Sequence, residues 1–148
     1  MICLRFFTVY GPRQRPEMAI HKFTRLIDQG KAVPVYGDGS SRRDYTYIQD
    51  IVEGVIAAID RRFSYEVVNL GESRTIGLLE LISVIEETLG KKAVLEWHSK
   101  QAGDVPITYA SAEKAKRLLG YNPRTPIHEG IREFVKWYRE NQRAMEGS

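Results

Sequence analysis

The stretch Leu4-Arg-Phe-Phe-Thr-Val-Tyr-Gly-Pro-Arg-Gln-Arg15 limits what this chain can fold into. Its first half is apolar and aromatic and carries the β-branched Thr8 and Val9, a composition suited to a buried strand. Gly11 and Pro12 stop that strand, because Pro12 cannot donate to a ladder. Tyr65-Glu-Val-Val-Asn-Leu70, closed by Gly71, reads as a second buried strand. Both look built to lie inside a sheet, yet the chain offers few other strong strands to flank them. A sheet so small leaves edges unpaired and apolar faces bare. The sequence therefore reads as part of a larger fold.

Between and after these strands the periodicity turns helical. Glu17 to Gln29 places Ala19, Phe23 and Ile27 four apart, with Gly30 as the stop. Val33-Pro-Val-Tyr36 is a short extended piece that Pro34 assigns to an edge, Gly37-Asp-Gly39 is a turn, and Arg42 to Tyr47 is extended. Ile48 to Ile59 is a helix with Ile48, Ile51, Val52, Val55, Ile56 and Ile59 as its apolar set. Thr75 is expected to cap a helix running to Leu89. Ala93 to Trp97 is a short strand, Ser111 caps a short helix to Leu119, and Thr125-Pro126 opens the last helix. Strands alternating with helices predict an α/β class with a parallel sheet and crossovers. With no linker or repeat, residues 1–148 read as one domain.

Composition excludes more than it selects. A formal net charge of +3 is a mild excess, with no basic stripe to support nucleic-acid binding. One cysteine, Cys3, excludes an internal disulfide framework and, lying in an apolar run, reads as a buried inert thiol. No apolar run approaches a membrane span and no signal-peptide pattern opens the chain, so a cytoplasmic protein is expected. The three histidines are scattered without metal-like spacing, and no metal site is expected. The one Gly-x-Gly, Gly37-Asp38-Gly39, opens no amphipathic helix and fails the context of a dinucleotide fingerprint.

What remains is a set suited to anions and bases. Arg13 and Arg15 stand where the first strand ends, the end at which open α/β sheets bind ligands. Arg15, Arg42 and Arg43 are guanidinium donors suited to a diphosphate. Tyr45, two residues beyond Arg43, can offer an aromatic face to a nucleobase, and Asp104 can accept from ribose hydroxyls. Each has a plainer alternative: Arg43 and Asp44 as a surface ion pair, Tyr45 as a core residue, Asp104 as a loop cap.

Several segments taken in order resemble a family: Leu4 to Pro12, Arg15-Pro-Glu-Met18, Val35-Tyr-Gly-Asp-Gly-Ser40, Arg43-Asp-Tyr-Thr-Tyr-Ile-Gln-Asp50-Ile-Val-Glu-Gly54, Val68-Asn-Leu-Gly71, Gly103-Asp104-Val and Ala112-Glu-Lys-Ala115. They are similar to the C-terminal, substrate-binding part of the extended short-chain dehydrogenases. Within these they resemble the NAD-dependent nucleotide-sugar epimerases, most of all the UDP-glucuronate 4-epimerases. The resemblance runs from about Leu4 to about Tyr138. It implies partial Rossmann-like parallel strands joined to the small mixed α/β substrate-binding subdomain.

By resemblance, Phe7 and Val9 would line the nicotinamide side, Thr8 would face the sugar, and Arg15 would contact the diphosphate or a sugar carboxylate. Val35 would touch the uracil through its backbone. Arg43 would hold the diphosphate, Tyr45 would pack on base or ribose, and Gln101 and Asp104 would contact the ribose. Thr8 together with Arg15 favours a uronic-acid sugar.

The family's glycine-rich loop and its Tyr-x-x-x-Lys pair have no match in this sequence. In the family, that tyrosine takes a hydroxyl proton while NAD accepts a hydride, and a tyrosine needs a nearby cation to act as a base near neutrality. The sequence therefore predicts no catalytic residue in this chain, no activity and no NAD binding by it alone. The partners expected are a UDP-sugar and an N-terminal half. A further expectation, of a different class, is a non-catalytic module that covers its strands by homo-oligomerisation or strand swapping.

Overall fold

A computed structural model describes residues 1–100 and 105–146 of the 148. The chain is α/β, with parallel strand pairs flanked by helices. Strand β1 (Ile2–Phe6) runs parallel to β6 (Glu66–Leu70), with Leu4 opposite Val68 and Phe6 opposite Leu70. Strand β2 (Thr8–Tyr10) runs parallel to β5 (Tyr45–Tyr47), Thr8 opposite Tyr45. Strand β3 (Ala32–Tyr36) runs parallel to β8 (Val94–His98), and β4 (Arg42–Arg43) runs antiparallel to β7 (Ile76–Gly77). The helices are α1 (Ala19–Asp28), α2 (Ile48–Ile59), α3 (Leu78–Leu89), α4 (Glu113–Leu119) and α5 (Ile127–Glu146).

The opening stretch, expected as one strand, is two. The backbone changes partner at Phe7, whose N–H still donates to the Leu70 carbonyl at 3.1 Å; from Thr8 onward the ladder continues on β5. Two partners that diverge cannot both be followed by one straight strand, so the chain bends between them.

Two apolar clusters hold these layers. In the first, Ile20, Phe23 and Ile27 of α1, Val33 and Val35 of β3, Leu81, Ile82 and Ile85 of α3, and Ile131, Phe134 and Tyr138 of α5 pack around Tyr10. In the second, Ile51 and Ala58 of α2 and Ala115 and Leu119 of α4 cover Val68 and Leu70 of β6, with Ile2 and Leu4 of β1 beside them. Helix α2 lies close to this layer because Gly54 has no side chain: a Cβ there would stand 2.9 Å from both Leu70 and Tyr121.

The expected burial of β1 is corrected. Ile2 and Leu4 turn to the cluster, but Cys3 is exposed, along with Arg5 and Phe6. Among the described residues β1 has one ladder partner, and Cys3 and Arg5 alternate to the face away from the second cluster, while Phe6, of the same parity as Ile2 and Leu4, stands at the strand's end outside that cluster. Two expected caps are also corrected. Thr75 does not cap α3, which starts at Leu78; instead its hydroxyl and carbonyl accept from Arg42, at 3.0 and 2.7 Å. Ser111 does not cap α4: the preceding turn is held by the Ala112 N–H donating to Ser73 Oγ at 3.0 Å.

Candidate functional site

Strand β2 ends at a tight loop, and the loop builds a pocket. Gly11 is pressed against α2, where a Cβ would lie 2.6 Å from Ile48, and its φ of 141° suits only glycine. The chain then passes through Arg13 in the left-handed region, φ 67°. The Gln14 N–H donates to the Gly11 carbonyl, and Gln14 Nε2 donates back to the Val9 carbonyl at 3.0 Å. His21 Nδ1 of α1 donates to the Gln14 carbonyl at 2.7 Å, and its ring packs edge-on to Phe134 and Tyr138. The loop is thereby tied to both the strand and the helical core.

The resulting cavity, about 570 Å³, is lined by Phe6, Phe7, Thr8, Val9, Arg13, Gln14, Arg15, Met18 and Thr108. Four of the residues expected at a site, Phe7, Thr8, Val9 and Arg15, are brought together here. Arg13, Gln14 and Thr108 join them and were not foreseen as a group. Two of these carry polar atoms, Gln14 Oε1 and Thr108 Oγ1, that are buried without a hydrogen-bond partner. The cavity thus combines apolar walls, hydroxyl and amide groups and two guanidinium cations. Arg15 also reaches Glu17 at 3.2 Å, an exposed pair that water screens strongly.

A second cavity, about 310 Å³, is lined by Tyr36, Gly37, Asp38, Ser40, Ser41, Lys100 and Pro106. The side chain of Val35 is fully buried in the first cluster, and the next residue, Tyr36, lines this cavity. The segment joining the two cavities is held by backbone pairing with β4. Arg42 N–H donates to the Pro106 carbonyl at 2.8 Å, Thr108 N–H to the Arg42 carbonyl at 3.1 Å, and Asp44 N–H to the Thr108 carbonyl at 3.1 Å. Arg43 Nη1 donates to its neighbour's carbonyl at 2.9 Å and lies 3.5 Å from the Pro106 carbonyl, so it stands by that segment. Arg42 does not join it, being committed to Thr75.

Tyr45 lies apart from both cavities. Its ring meets Tyr10 edge-on at 6.4 Å, and it lines a separate cavity with Glu72, Arg74 and His128. Burial pushes its hydroxyl up to about 12, against the opposing pull of Arg43. Gln101 and Asp104 lie outside the described residues.

Sequence reasoning missed the carboxylates that hold this architecture. Asp44, which entered there only through the alternative of a surface pair with Arg43, is fully buried. It accepts from the N–H groups of Glu72, Ser73 and Ala110 at 2.9, 3.0 and 3.1 Å and from the Thr46 hydroxyl at 3.1 Å. Asp50 of α2 accepts from the Arg124 and Thr125 N–H groups at 3.1 and 3.2 Å, fixing the approach to α5. Among the described residues no group of three His, Cys, Asp or Glu side chains is placed to hold a metal, and no helix is long and apolar enough to cross a membrane.

A parallel α/β layer with a polar, cationic cavity at its carboxyl end defines the class as Rossmann-like, and comparison with known proteins names the family. Residues 1–71 match the NAD dependent epimerase/dehydratase family. The chain is 47% identical over 142 residues to an uncharacterized protein of Methanocaldococcus jannaschii, a match covering 96% of this chain and 44% of that protein. It is 41% identical over 139 residues to the UDP-glucuronate 4-epimerase of Thermodesulfobacterium geofontis, covering 93% and 43%. It superimposes with a TM-score of 0.89 at 34% identity on the UDP-glucuronic acid 4-epimerase of Bacillus cereus, solved with UDP-glucuronic acid and NAD, covering 95% of this chain and 45% of that one. Over 93% to 96% of its length the chain is similar to these relatives. It spans less than half the length of each of these relatives.

Proposed function

We propose that this chain is the UDP-sugar-binding part of an NAD-dependent nucleotide-sugar 4-epimerase, with UDP-glucuronate as the favoured substrate. The observation that carries the reading is the 570 Å³ cavity at the carboxyl ends of parallel strands, with Thr8, Arg13 and Arg15 in its lining. A sugar carboxylate suits those two cations. The second cavity, at Tyr36 and Lys100, suits the uridine. Arg43, beside the segment shared by both, suits the diphosphate between them.

NAD, when bound in this family, takes a hydride from the sugar and returns it. The residues present fit one wall of that cofactor only: Phe7 and Val9 offer an apolar surface at the strand end. The cofactor's own diphosphate, unlike that of the UDP-sugar, is not provided for, because the turn Gly37 to Gly39 leads into β4 and not into a helix N-terminus. The chain alone is therefore inactive on this reading, and catalytic groups come from an N-terminal half.

Calorimetry with UDP and UDP-glucuronate tests the proposal. Both ligands are expected to bind, and Arg43→Ala is expected to abolish both signals. Arg15→Ala is expected to weaken UDP-glucuronate by about 10- to 100-fold, the worth of one hydrogen bond to a charged group, and to leave UDP within a few-fold of the parent. Absence of heat from the parent chain with either ligand at millimolar concentration overturns it. No epimerisation is expected from the chain with NAD added; turnover would overturn the inactive reading.

A further inference from the structure

Gln14 carries the backbone between the two guanidinium residues of the first cavity, and it is held at three points. Its N–H donates to the Gly11 carbonyl at 3.1 Å, its side-chain Nε2 donates to the Val9 carbonyl at 3.0 Å, and its own carbonyl accepts from His21 Nδ1 at 2.7 Å. The first two contacts are local to the strand and its loop. Of the three, only the last reaches in from a helix, α1. A carbonyl only accepts, so this contact requires the ring proton on Nδ1.

The carbonyl of Gln14 belongs to the peptide group that joins Gln14 to Arg15. That group is planar, so the bond from His21 fixes the direction in which the backbone enters Arg15. On the preceding side, Arg13 stands at φ 67°, an unfavourable conformation for a residue with a side chain, which persists only where the surroundings hold it. His21 is held in turn. Its ring centroid lies 5.4 Å from that of Phe134, 5.8 Å from that of Trp137 and 6.0 Å from that of Tyr138, all on α5. Phe134 and Tyr138 are buried in the first cluster. The nitrogen that meets the loop is therefore carried on a ring anchored in the core.

We propose that His21 is a positioning residue for the cations of this cavity, orienting Arg13 and Arg15 toward the anionic end of a sugar through the Gln14 peptide. The inference rests on the proposed function in taking the ligand to be a UDP-sugar whose carboxylate meets these cations. Place gives it selectivity. The loop that His21 holds builds the first cavity, whereas Tyr36 and Lys100 line the second, so His21 bears on the sugar and not on the uridine.

Two substitutions separate positioning from packing. His21→Phe keeps a ring beside Phe134, Trp137 and Tyr138 and removes the donor. His21→Asn gives up the ring and presents an N–H where Nδ1 stands, on the atom bonded to Cγ. Calorimetry is expected to show UDP-glucuronate weakened about 3- to 10-fold in His21→Phe, the worth of one neutral hydrogen bond, and restored to within about twofold of the parent in His21→Asn, with UDP unchanged in both. Stability in urea is expected to fall in the opposite order, further for His21→Asn, because asparagine abandons the aromatic contacts. A readout without ligand is nitrogen relaxation of the Arg13, Gln14 and Arg15 amides, whose order parameters are expected to drop in His21→Phe and recover in His21→Asn. Affinities that follow the stability order, or equal losses for UDP and UDP-glucuronate, overturn the proposal. Unchanged order parameters in His21→Phe overturn it too, and if His21→Asn fails to fold, His21→Phe decides alone. A parent chain that binds neither ligand overturns the proposed function instead, and the relaxation measurement still decides the role of His21.

Discussion

The Asp44 carboxylate accepts the Ala110 N–H at 3.1 Å, joining residues 66 apart in sequence. The same carboxylate takes the N–H groups of Glu72 and Ser73 where β6 ends, so one buried side chain fixes two loops against β5. Gly71 makes room for it: a Cβ there would stand 2.4 Å from Ala110 Cβ and 3.2 Å from Asp44 Oδ2. Asp44→Ala strands three backbone donors in a buried site, each worth about 1–3 kcal/mol when unsatisfied. With partial relaxation, a loss of about 3–5 kcal/mol is expected in urea unfolding monitored by circular dichroism. A loss below about 1 kcal/mol would mean that the loops are held by something else.

Tyr10 and Gly130 make a second tight contact. A Cβ on Gly130 would lie 2.0 Å from the Tyr10 hydroxyl oxygen, which is itself buried without a partner. In an exposed helix, Gly→Ala gains about 1 kcal/mol of propensity. Here overpacking opposes it, and a net loss of about 1–3 kcal/mol is expected. Tyr10→Phe removes the orphaned hydroxyl and is expected to cost nothing or to stabilise slightly. In the double variant it recovers part of the Gly130→Ala loss, since the ring carbon behind the hydroxyl still lies 2.7 Å from the added methyl. A double-mutant cycle with no coupling would contradict this contact.

Much of this was legible in the sequence, and what was not has a common cause. The parallel α/β class, the Pro34 edge piece and the inward face of α5 follow from local periodicity. So does the stop at Gly11, whose crowding against Ile48 only the structure displays. Asp44 was misread because its donors arrive from 28, 29 and 66 residues away, and no local pattern records them. In α2 the six apolar positions were correct, but periodicity alone does not divide them between Ile51, which is buried, and Ile56, which is bare. That division is set by which neighbours are present. Cys3 failed for the same reason: its strand has the composition of a central strand and the surroundings of an edge.

Cys3 provides a direct check of that surrounding. It is the one cysteine of the chain, and it is exposed on β1. One equivalent of thiol is expected to react with Ellman's reagent in buffer without denaturant, as fast as after unfolding to within about tenfold. A thiol silent until urea is added would mean that this side of β1 is covered in the free chain.

Glu72 gives the pH dependence a definite sign. Burial pushes its carboxyl up from an ordinary 4.5 to about 7; Asp50 and Asp44 add to the rise and Arg74 opposes it. Its Oε2 is buried without a hydrogen-bond partner. Between these two values the folded state holds a proton that the unfolded state has released, so stability falls as pH rises through the window. The contribution of Glu72 is therefore most favourable below pH 4.5 and is lost by the time pH passes about 7. Glu72→Gln mimics the protonated form. It is expected to unfold at higher urea than the parent at pH 8 and at nearly the same urea at pH 5. Taking the difference between parent and variant cancels every other titrating group. A difference that grows toward acid pH would reverse the sign and remove Glu72 as the source.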